Sequence, residues 1–526
     1  MNKQASQKLR FERLSSGRHA VFSPSGDFAF LTSAELNTIM AGPDKLQELG
    51  HARVAGLYAK HIVTGADQIG MSRLLQARRA ARKETVGSGV SLHILVPTLQ
   101  CGHSCQYCQV SRALDSQGFE MSPAMLDAAC DTIFESPSPV LTVEFQGGDP
   151  LIRFDLVRRA IERIAGRNAL ERRRIQFVVA STLHQLDLEM CAFFRGHSVV
   201  LSTSIDGPAE LHNRNRPVPG RDSHERTLEG IAMAREHIGP GCVSALMTTT
   251  KVSLEMPEAV IDEYVRLGFD EVFVRPMASH GFAKRNGAHL GYASSAFFAF
   301  YERCLERVLW WNSKGVALRE SAAATWLNKL LSPFDSGYVD LQSPTGAGSA
   351  VLVYNYDGYV YPSDEARMLA ETGDVTLRLG RIGEPITRLQ RSEVVQWLRT
   401  QSDGEIQSEC ASCPYHVFCG PDPVEALATG RTLAVAETEH CQRSTWMFRH
   451  LLDRLDRAEI EGNDEFLDLA YAWARRDHPR RRFDSSSMVG YEADVVPVPV
   501  ERIALPPSET HFRGIPVRAY TSALES

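Results

Sequence analysis

The sequence of 526 residues contains no apolar run as long as the roughly 18 residues that a membrane-spanning helix needs. It also lacks an excess of positive charge: the formal net charge is −7 at pH 7, which argues against a general nucleic-acid-binding protein. The first residues, MNKQASQKLRFERL, are charged and lack the apolar core of a secretory signal. These absences predict a cytoplasmic protein whose partners include neither a membrane nor a nucleic acid.

Most of the eleven cysteines fall in two groups. The motif CGHSCQYC contains the first cysteine group, which consists of Cys101, Cys105 and Cys108. The second cysteine group consists of Cys410, Cys413, Cys419 and Cys441. In a reducing cytosol, clustered cysteines bind metal or take part in chemistry more often than they form disulfides. The remaining four are expected to be small buried hydrophobes: Cys130, Cys191, Cys242 and Cys304.

The first cysteine group offers one ligand fewer than the usual thiolate sites need. Tetrahedral zinc takes four ligands, and a 4Fe–4S cluster has four irons. Three thiolates therefore leave one metal position open for a different ligand.

Beyond residue 90, apolar β-branched runs alternate with amphipathic segments. The runs predict strands at 91–99, 140–146, 174–181, 198–205, 242–250 and 271–277. The segments predict helices near 122–135, 154–167, 186–196, 223–237 and 255–267. Strands that alternate with helices predict a parallel sheet, and this number of units predicts a partial barrel, two units short of eight. The first cysteine group follows the first strand, at the sheet edge where ligands of such folds bind.

The segments on either side of this barrel have different patterns. HAVFSPSGDFAFLT predicts two strands around a Ser-Gly turn, and SAELNTIMAG predicts a short helix capped by its serine and ended by its glycine. Residues 73–84 predict a basic linker helix, and 290–345 look helical. Residues 349–364 predict a hairpin with an Asp-Gly turn, and the tail beyond 480 is expected to be disordered in part.

Polar residues follow several of the predicted strands. The glycines of QGGDP allow close backbone approach, and a carboxylate follows them. STSIDGP ends the fourth strand with further polar groups, and an arginine in HNRNRP is suited to pair with a carboxylate. Together with an aromatic ring in the cysteine motif, they predict a pocket for an amino acid with a large aromatic appendage, lined by Tyr107, Gly147, Gly148, Asp149, Ser204, Asp206 and Arg216.

These motifs resemble those of the radical S-adenosylmethionine (radical SAM) superfamily, over roughly residues 90–280. In that family a CxxxCxxC loop with an aromatic residue before the last cysteine holds a 4Fe–4S cluster, and SAM chelates the open iron. Reduction of the cluster cleaves SAM to a 5′-deoxyadenosyl radical. The family's GGE reads GGD here, a change that a mainly backbone contact tolerates. A zinc loop is the alternative interpretation.

The second cysteine group, CASCPYHVFC with a later cysteine, resembles the SPASM domain, which carries auxiliary clusters. The resemblance implies one auxiliary 4Fe–4S cluster at this group, for which zinc is the alternative. A second auxiliary site is expected to be lost, because Ser363 and Pro423 stand where that site has cysteines. In sulfatase-maturing relatives an acid after YPC accepts a proton, and Asp364 has the matching place in YPSDEAR. Its alternative role is to cap or turn the chain.

The resemblance implies an α/β fold with a partial (β/α)6 TIM-like barrel, a small N-terminal α+β domain and a C-terminal SPASM-like iron–sulfur domain. The expected boundaries are 1–70 for a peptide-recognition-like domain, 71–89 for a linker helix, 90–285 for the radical SAM core, 286–345 for a helical connection, 346–446 for the auxiliary domain and 447–526 for a C-terminal helix and tail.

The function implied is oxidation or crosslinking of a residue in a ribosomal precursor peptide or small protein, with a flavodoxin- or ferredoxin-type electron donor. The closest subgroup in appearance is the His-Xaa-Ser system maturases. The N-terminal unit is expected to bind a leader peptide by strand addition, or else only to pack. Two other functions remain open: an anaerobic sulfatase maturase, and a non-catalytic iron–sulfur binding or regulatory protein.

Overall fold

The computed structural model describes residues 9–63, 68–87, 89–113, 117–278, 280–332, 341–430, 438–475, 511–512 and 515–516. The chain divides into two compact units. Unit 1 comprises 1–79, 327–333 and 449–526, and unit 2 comprises 80–326 and 334–448. Nearly all of the tail beyond 480, for which partial disorder was expected, lies outside the described residues. No helix among the described residues is both long and apolar enough to cross a membrane.

The strands are β1 (Arg10–Arg13), β2 (His19–Phe22), β3 (Phe28–Leu31), β4 (Leu92–Thr98), β5 (Val140–Gly147), β6 (Arg174–Ala180), β7 (Val200–Ser204), β8 (Val243–Thr248), β9 (Glu271–Val272), β10 (Val274–Arg275), β11 (Arg319–Glu320), β12 (Val351–Tyr354), β13 (Tyr359–Tyr361), β14 (Gly380–Arg381), β15 (His511–Phe512) and β16 (Ile515–Pro516).

The helices are α1 (Ser33–Ala41), α2 (His51–Ala59), α3 (Gln68–Gly87), α4 (Pro123–Ile133), α5 (Phe154–Glu171), α6 (Leu188–Gly196), α7 (Ala209–Asn215), α8 (Ser223–His237), α9 (Pro257–Arg266), α10 (Gly281–Arg285), α11 (Gly287–Leu290), α12 (Ser294–Ser313), α13 (Ser321–Leu331), α14 (Asp364–Ala370), α15 (Ile386–Gln390), α16 (Glu393–Gln401), α17 (Pro423–Ala428), α18 (Glu439–Glu461) and α19 (Asp464–Arg475).

Unit 1 contains a three-stranded antiparallel sheet in the order β1-β2-β3. The two expected strands are β2 and β3, and β1 is an addition whose sequence RFER carries a single apolar residue. The apolar side chains of the sheet and of α1 and α2 share one core. The same unit includes the C-terminal part of α18, where Asp453 Oδ1 accepts a hydrogen bond from Ser15 N at 2.7 Å.

The start of α1 differs from the expectation that Ser33 caps it. The N-cap is Thr32, whose Oγ1 accepts a hydrogen bond from Glu35 N at 3.2 Å, while the Glu35 carboxylate accepts one from Thr32 N at 2.7 Å. The sequence T-S-A-E places glutamate at the third helical position only if threonine is the cap, so the reciprocal capping box selects Thr32.

Unit 2 contains a nine-stranded sheet in the order β10-β8-β7-β6-β5-β4-β12-β13-β14. Strands β4 to β8 and β10 pair in parallel, at the six expected positions. The five expected helices correspond to α4, α5, α6, α8 and α9. These comparisons confirm the α/β class and the partial barrel.

The sequence accounts for the barrel elements one by one. Strand β4 is buried at six of its positions, as a strand covered on both faces must be. Helix α4 begins with Pro123 after the N-cap Ser122, and α9 begins with Pro257, since proline suits the first helical turn. In α5 the buried residues share one face, which packs on the sheet.

The expected hairpin at 349–364 is formed by β12 and β13. Strand β12 also pairs in parallel with β4, with Val351 opposite Leu92 and Tyr354 opposite Leu95. The hairpin therefore extends the barrel sheet on the side of β4.

Candidate functional site

The loop that carries the first cysteine group leaves the C-terminal end of β4 and is anchored at both ends. Cys101 N donates to Ala113 O at 3.2 Å, and Ala113 N donates to Leu99 O at 2.8 Å. The first turn of α10 lies against the loop, since Phe282 N donates to Cys108 O at 2.8 Å. These backbone bonds determine the path of the loop without using a cysteine side chain.

Two glycines let the end of β5 lie against this loop. Gly147 has φ +125°, and a Cβ there would lie 2.2 Å from Thr98 O. A Cβ on Gly148 would lie 2.2 Å from Gln100 O. The glycines of QGGDP therefore allow a close backbone approach, as predicted. The backbone that approaches them is that of residues 98–100.

A cavity of about 430 Å³ lies at the carboxyl ends of the barrel strands, where ligands of parallel sheets bind. It brings together the first cysteine group and most of the other predicted residues, namely Tyr107, Gly147, Gly148, Ser204, Arg216 and Asp364. Two predicted residues, Asp149 and Asp206, do not line it and lie fully buried behind its wall.

Asp149 holds neighbouring segments together. Its Oδ1 accepts hydrogen bonds from Ser181 Oγ at 2.7 Å and from Leu151 N at 3.2 Å, and its Oδ2 accepts one from Thr182 Oγ1 at 2.5 Å. The carboxylate thus joins the end of β5 to the end of β6. Its hydrogen bonds are made within the chain, and not to the cavity, where a ligand contact was predicted.

Asp206 forms a buried charged group with two other predicted residues. Tyr107 Oη donates to Asp206 Oδ2 at 2.6 Å, and Arg216 Nε lies 3.2 Å from the same oxygen. The guanidinium carbon of Arg216 lies 5.3 Å from the centre of the Tyr107 ring. Arginine has five N–H donors and one carboxylate oxygen cannot accept them all, so Arg216 keeps donors for an anion in the cavity.

The chemistry of the first cysteine group fits a metal cluster. Burial raises the pKa of Cys101 and of Cys105 to about 12, so their thiolates need a positive centre beside them. Bound metal supplies that charge and deprotonates its thiol ligands.

The spacing of the sulfurs bears on which metal fits. Tetrahedral zinc with a Zn–S bond of about 2.3 Å places its sulfurs roughly 3.8 Å apart. Among the described residues, three potential ligand atoms come within 4.8 Å of one another only at Asp422, Glu425 and His440, and neither cysteine group is that compact. At Glu425, Oε1 already accepts a hydrogen bond from Arg443 Nη2 at 2.8 Å. Neither cysteine group therefore has the spacing of a closed zinc site in this arrangement.

The second cysteine group lies in the segment that includes the short 3₁₀ helix Ser408–Cys410 and the start of α18. Its four thiols are half-buried and form no disulfide. Burial raises the pKa of Cys410 to about 11, and the neighbouring sulfurs of Cys413 and Cys441 act in the same direction.

Asp364 lines the cavity from the first turn of α14. The cap of this helix is Ser363, whose Oγ accepts a hydrogen bond from Ala366 N at 3.2 Å. Asp364 Oδ1 accepts from Arg367 Nε at 3.0 Å and from Arg367 Nη2 at 2.8 Å, and Arg367 is fully buried. The ion pair thus orients the carboxylate at the cavity wall, and capping is the role of Ser363.

The prediction missed Glu144 and Gln146, which also line the cavity. Alternate residues of β5 are fully buried at Leu141, Val143 and Phe145, while the residues between them face the barrel interior. The polar residues in LTVEFQ at every second position were the available signal, because successive side chains of a strand point to opposite faces.

Comparison with known proteins agrees with this geometry. Residues 95–264 match the Radical SAM superfamily. The radical SAM cyclopropyl synthase TigE of Paramaledivibacter caminithermalis is 20% identical over 225 residues, 40% of this chain and 44% of that protein. A serine-type anaerobic sulfatase-maturating enzyme of Bacteroides thetaiotaomicron is 26% identical over 144 residues, 26% of this chain and 34% of that protein. The chain thus matches less than half of the length of either relative.

Two solved structures share the fold. Native anSMEcpe with bound AdoMet and the Kp18Cys peptide has 15% identity and a TM-score of 0.58, and the alignment covers 71% of this chain and 99% of that one. Streptococcus suis SuiB bound to the precursor peptide SuiA has 13% identity and a TM-score of 0.51, with 83% and 99% covered.

Proposed function

We propose, from the premise that residues 95–264 form a radical SAM domain, that this protein cleaves SAM to a 5′-deoxyadenosyl radical and modifies a residue of a ribosomal peptide or small protein. One observation carries the proposal. The first cysteine group lines a cavity at the carboxyl ends of the barrel strands, beside the glycines that close the end of β5.

The cavity residues have distinct roles in this proposal. Cys101, Cys105 and Cys108 hold a 4Fe–4S cluster, which when bound supplies the electron and the open iron for SAM cleavage. The backbone of Gly147 and Gly148, with Ser204 and Arg216, holds SAM. Tyr107, Asp149 and Asp206 are positioning residues, since their side chains form hydrogen bonds with other residues of the chain at or behind the cavity wall.

The second cysteine group holds one auxiliary 4Fe–4S cluster. No three of its sulfurs come within 4.8 Å of one another, whereas a closed zinc site needs about 3.8 Å, and this spacing supports a cluster over zinc. Ser363 and Pro423, where the family pattern has cysteines, support one auxiliary cluster over two. A flavodoxin- or ferredoxin-type protein in the cytoplasm is the electron donor.

A peptide substrate is supported by the fold shared with SuiB and anSMEcpe, each solved with a peptide. Within unit 1, strand β1 stands at the end of the sheet order β1-β2-β3, the position at which strand addition extends a sheet. We assign leader-peptide binding to this edge. Asp364 is assigned as the acceptor of the proton that the oxidised target residue releases, because it lines the same cavity as the first cysteine group.

Sulfatase maturation is the second candidate, favoured by the relative in Bacteroides thetaiotaomicron. Ser363 and Pro423 disfavour it, because the second auxiliary cluster then lacks thiol ligands. A non-catalytic iron–sulfur protein is disfavoured by the completeness of the cavity around the first cysteine group.

The test is anaerobic reconstitution with iron and sulfide, reduction with dithionite, and measurement of 5′-deoxyadenosine from SAM by mass spectrometry. Formation of the product is expected, and its absence with a full complement of clusters would reject the proposal. Incubation with peptides encoded by neighbouring genes, and separately with a sulfatase peptide, then distinguishes the two candidate substrates.

A further inference from the structure

We infer that Glu144 recognises the target residue, and that the target is a long cationic side chain, lysine or arginine, which reaches into the barrel. The inference rests on the proposed function and adds the chemical class of the residue that enters the cavity.

Glu144 lies inside the barrel, below the mouth of the cavity. It is two residues before Gln146 on β5, which places it about 6.6 Å further in along the strand. Its neighbours across the sheet are Ile94 on β4 and Val178 on β6, both apolar. The part of Glu144 that is exposed faces the cavity, because the residue lines it.

The Glu144 carboxylate has one polar contact within the chain. Gln146 Nε2 donates to Glu144 Oε1 at 2.8 Å. In the described part of the chain, no lysine, arginine or histidine nitrogen lies within 4.0 Å of either oxygen. A carboxylate accepts about four hydrogen bonds, so most of its capacity is open to a ligand.

The other charges around Glu144 compensate this carboxylate only in part, because no side chain forms an ion pair with it in the described part of the chain. Arg275 lies in the same cavity, where its guanidinium carbon is 5.3 Å from the centre of the Phe273 ring. Asp364 is a second acid, and it is paired with Arg367. Burial raises the pKa of Glu144 to about 7 and Asp364 adds to that shift, while the hydrogen bond from Gln146 and the positive charge of Arg275 oppose it without reversing it. A buried carboxylate in such surroundings gains most from a cation that enters with the substrate.

The length of the path selects the kind of cation. A side chain that enters at the level of Gln146 must extend about 6 Å to reach Glu144, which matches the stem of lysine or arginine. A neutral hydroxyl or amide donates a hydrogen bond but leaves the charge uncompensated. Apolar neighbours at Ile94 and Val178 suit the methylene stem of the cation.

The test measures weak binding by saturation-transfer NMR to the reconstituted, SAM-loaded protein in its oxidised state, so that no turnover occurs. The probes are the peptides Ac-Gly-Lys-Gly-NH2 and its norleucine analogue, which has the same stem without the ammonium group. We expect the lysine peptide to bind about tenfold more tightly, and Glu144→Gln to abolish that preference. The matched control is Glu162→Gln, the same chemical change on the exposed face of α5.

A second measurement needs no variant. The preference for the lysine peptide should rise about tenfold from pH 6 to pH 8, as Glu144 ionises. Equal binding of the two peptides, no measurable binding of either, or a preference that survives in Glu144→Gln would overturn the inference. Absence of SAM cleavage in the reduced wild-type protein would instead overturn the proposed function, which is measured separately.

Discussion

Arg216→Ala is expected to destabilise unit 2 even when no SAM is present. Asp206 is fully buried, and the Arg216 side chain, 13% exposed, lies 3.2 Å from its Oδ2. Removing one partner of a buried ion pair leaves an uncompensated charge and costs about 3–5 kcal/mol. The Tyr107 hydroxyl continues to donate to Asp206. Because this hydrogen bond still stabilises the Asp206 carboxylate, we expect the free energy of unfolding to fall by about 3 kcal/mol, the lower end of that range.

Urea unfolding followed by tryptophan fluorescence measures this loss of unfolding free energy. The signal reports mainly on unit 2, because five of the six tryptophans lie there and Trp473 lies in unit 1. Arg214→Ala is the matched control on the exposed side of α7 and should change stability by less than about 0.5 kcal/mol. The double variant Asp206→Asn/Arg216→Ala should recover about 2 kcal/mol, because a neutral amide needs no counter-ion.

Equal stability of Arg216→Ala and Arg214→Ala would refute the reasoning, and so would a double variant no more stable than Arg216→Ala. The same substitution is expected to weaken SAM binding in the reconstituted protein by about 2–4 kcal/mol, because it removes a cation from the cavity wall. Unchanged SAM affinity would restrict Arg216 to its structural role.

Four further outcomes are expected. Replacing all three members of the first cysteine group by alanine should abolish 5′-deoxyadenosine formation and leave the auxiliary cluster intact; residual cleavage at the wild-type rate would disprove the assignment. Reconstituted protein should contain about eight irons per chain, and about twelve irons, or zinc at the second cysteine group, would contradict the two-cluster arrangement. Deleting 1–65 should weaken peptide turnover and leave uncoupled SAM cleavage and the fluorescence-detected unfolding of unit 2 largely unchanged; equal peptide turnover would reject leader binding. Folding raises the pKa of Glu144 from 4.5 to about 7, so the wild-type protein loses stability as the pH rises through that window. From pH 5 to pH 8, the stability of Glu144→Gln relative to wild type should therefore rise by up to about 3 kcal/mol, and a pH-independent difference would contradict this.

Strong local patterns made the barrel predictable from the sequence. Strands such as β4 are continuous apolar runs, and the helices between them carry one apolar face, so both periods are visible in the residues. Weak patterns were missed. Strand β1 has one apolar residue among four, and α7 has only seven residues, so neither gives a clear period.

The sequence indicated which side chains lie near one another at the sheet edge better than it indicated the contacts between them. The first cysteine group, the glycine pair and Ser204 at the end of β7 all line one cavity, because the carboxyl ends of parallel strands share one edge. The hydrogen bond from Tyr107 to Asp206 joins residues 99 positions apart, and no local pattern encodes it or the contact of Asp206 with Arg216. Glu144 was missed because it lies within a strand, whereas the search followed the residues after each strand.

The pairing of β12 with β4 sets a limit on how this protein can be cut for expression. A fragment that ends near residue 285 would contain every strand of the parallel barrel but would leave one edge of β4 bare along Leu92 to Leu95. An unpaired edge beside an apolar run is a template for aggregation. A soluble catalytic fragment must therefore include the hairpin at 351–361, and a permuted chain that joins the hairpin directly to β4 would keep that edge covered in a shorter protein.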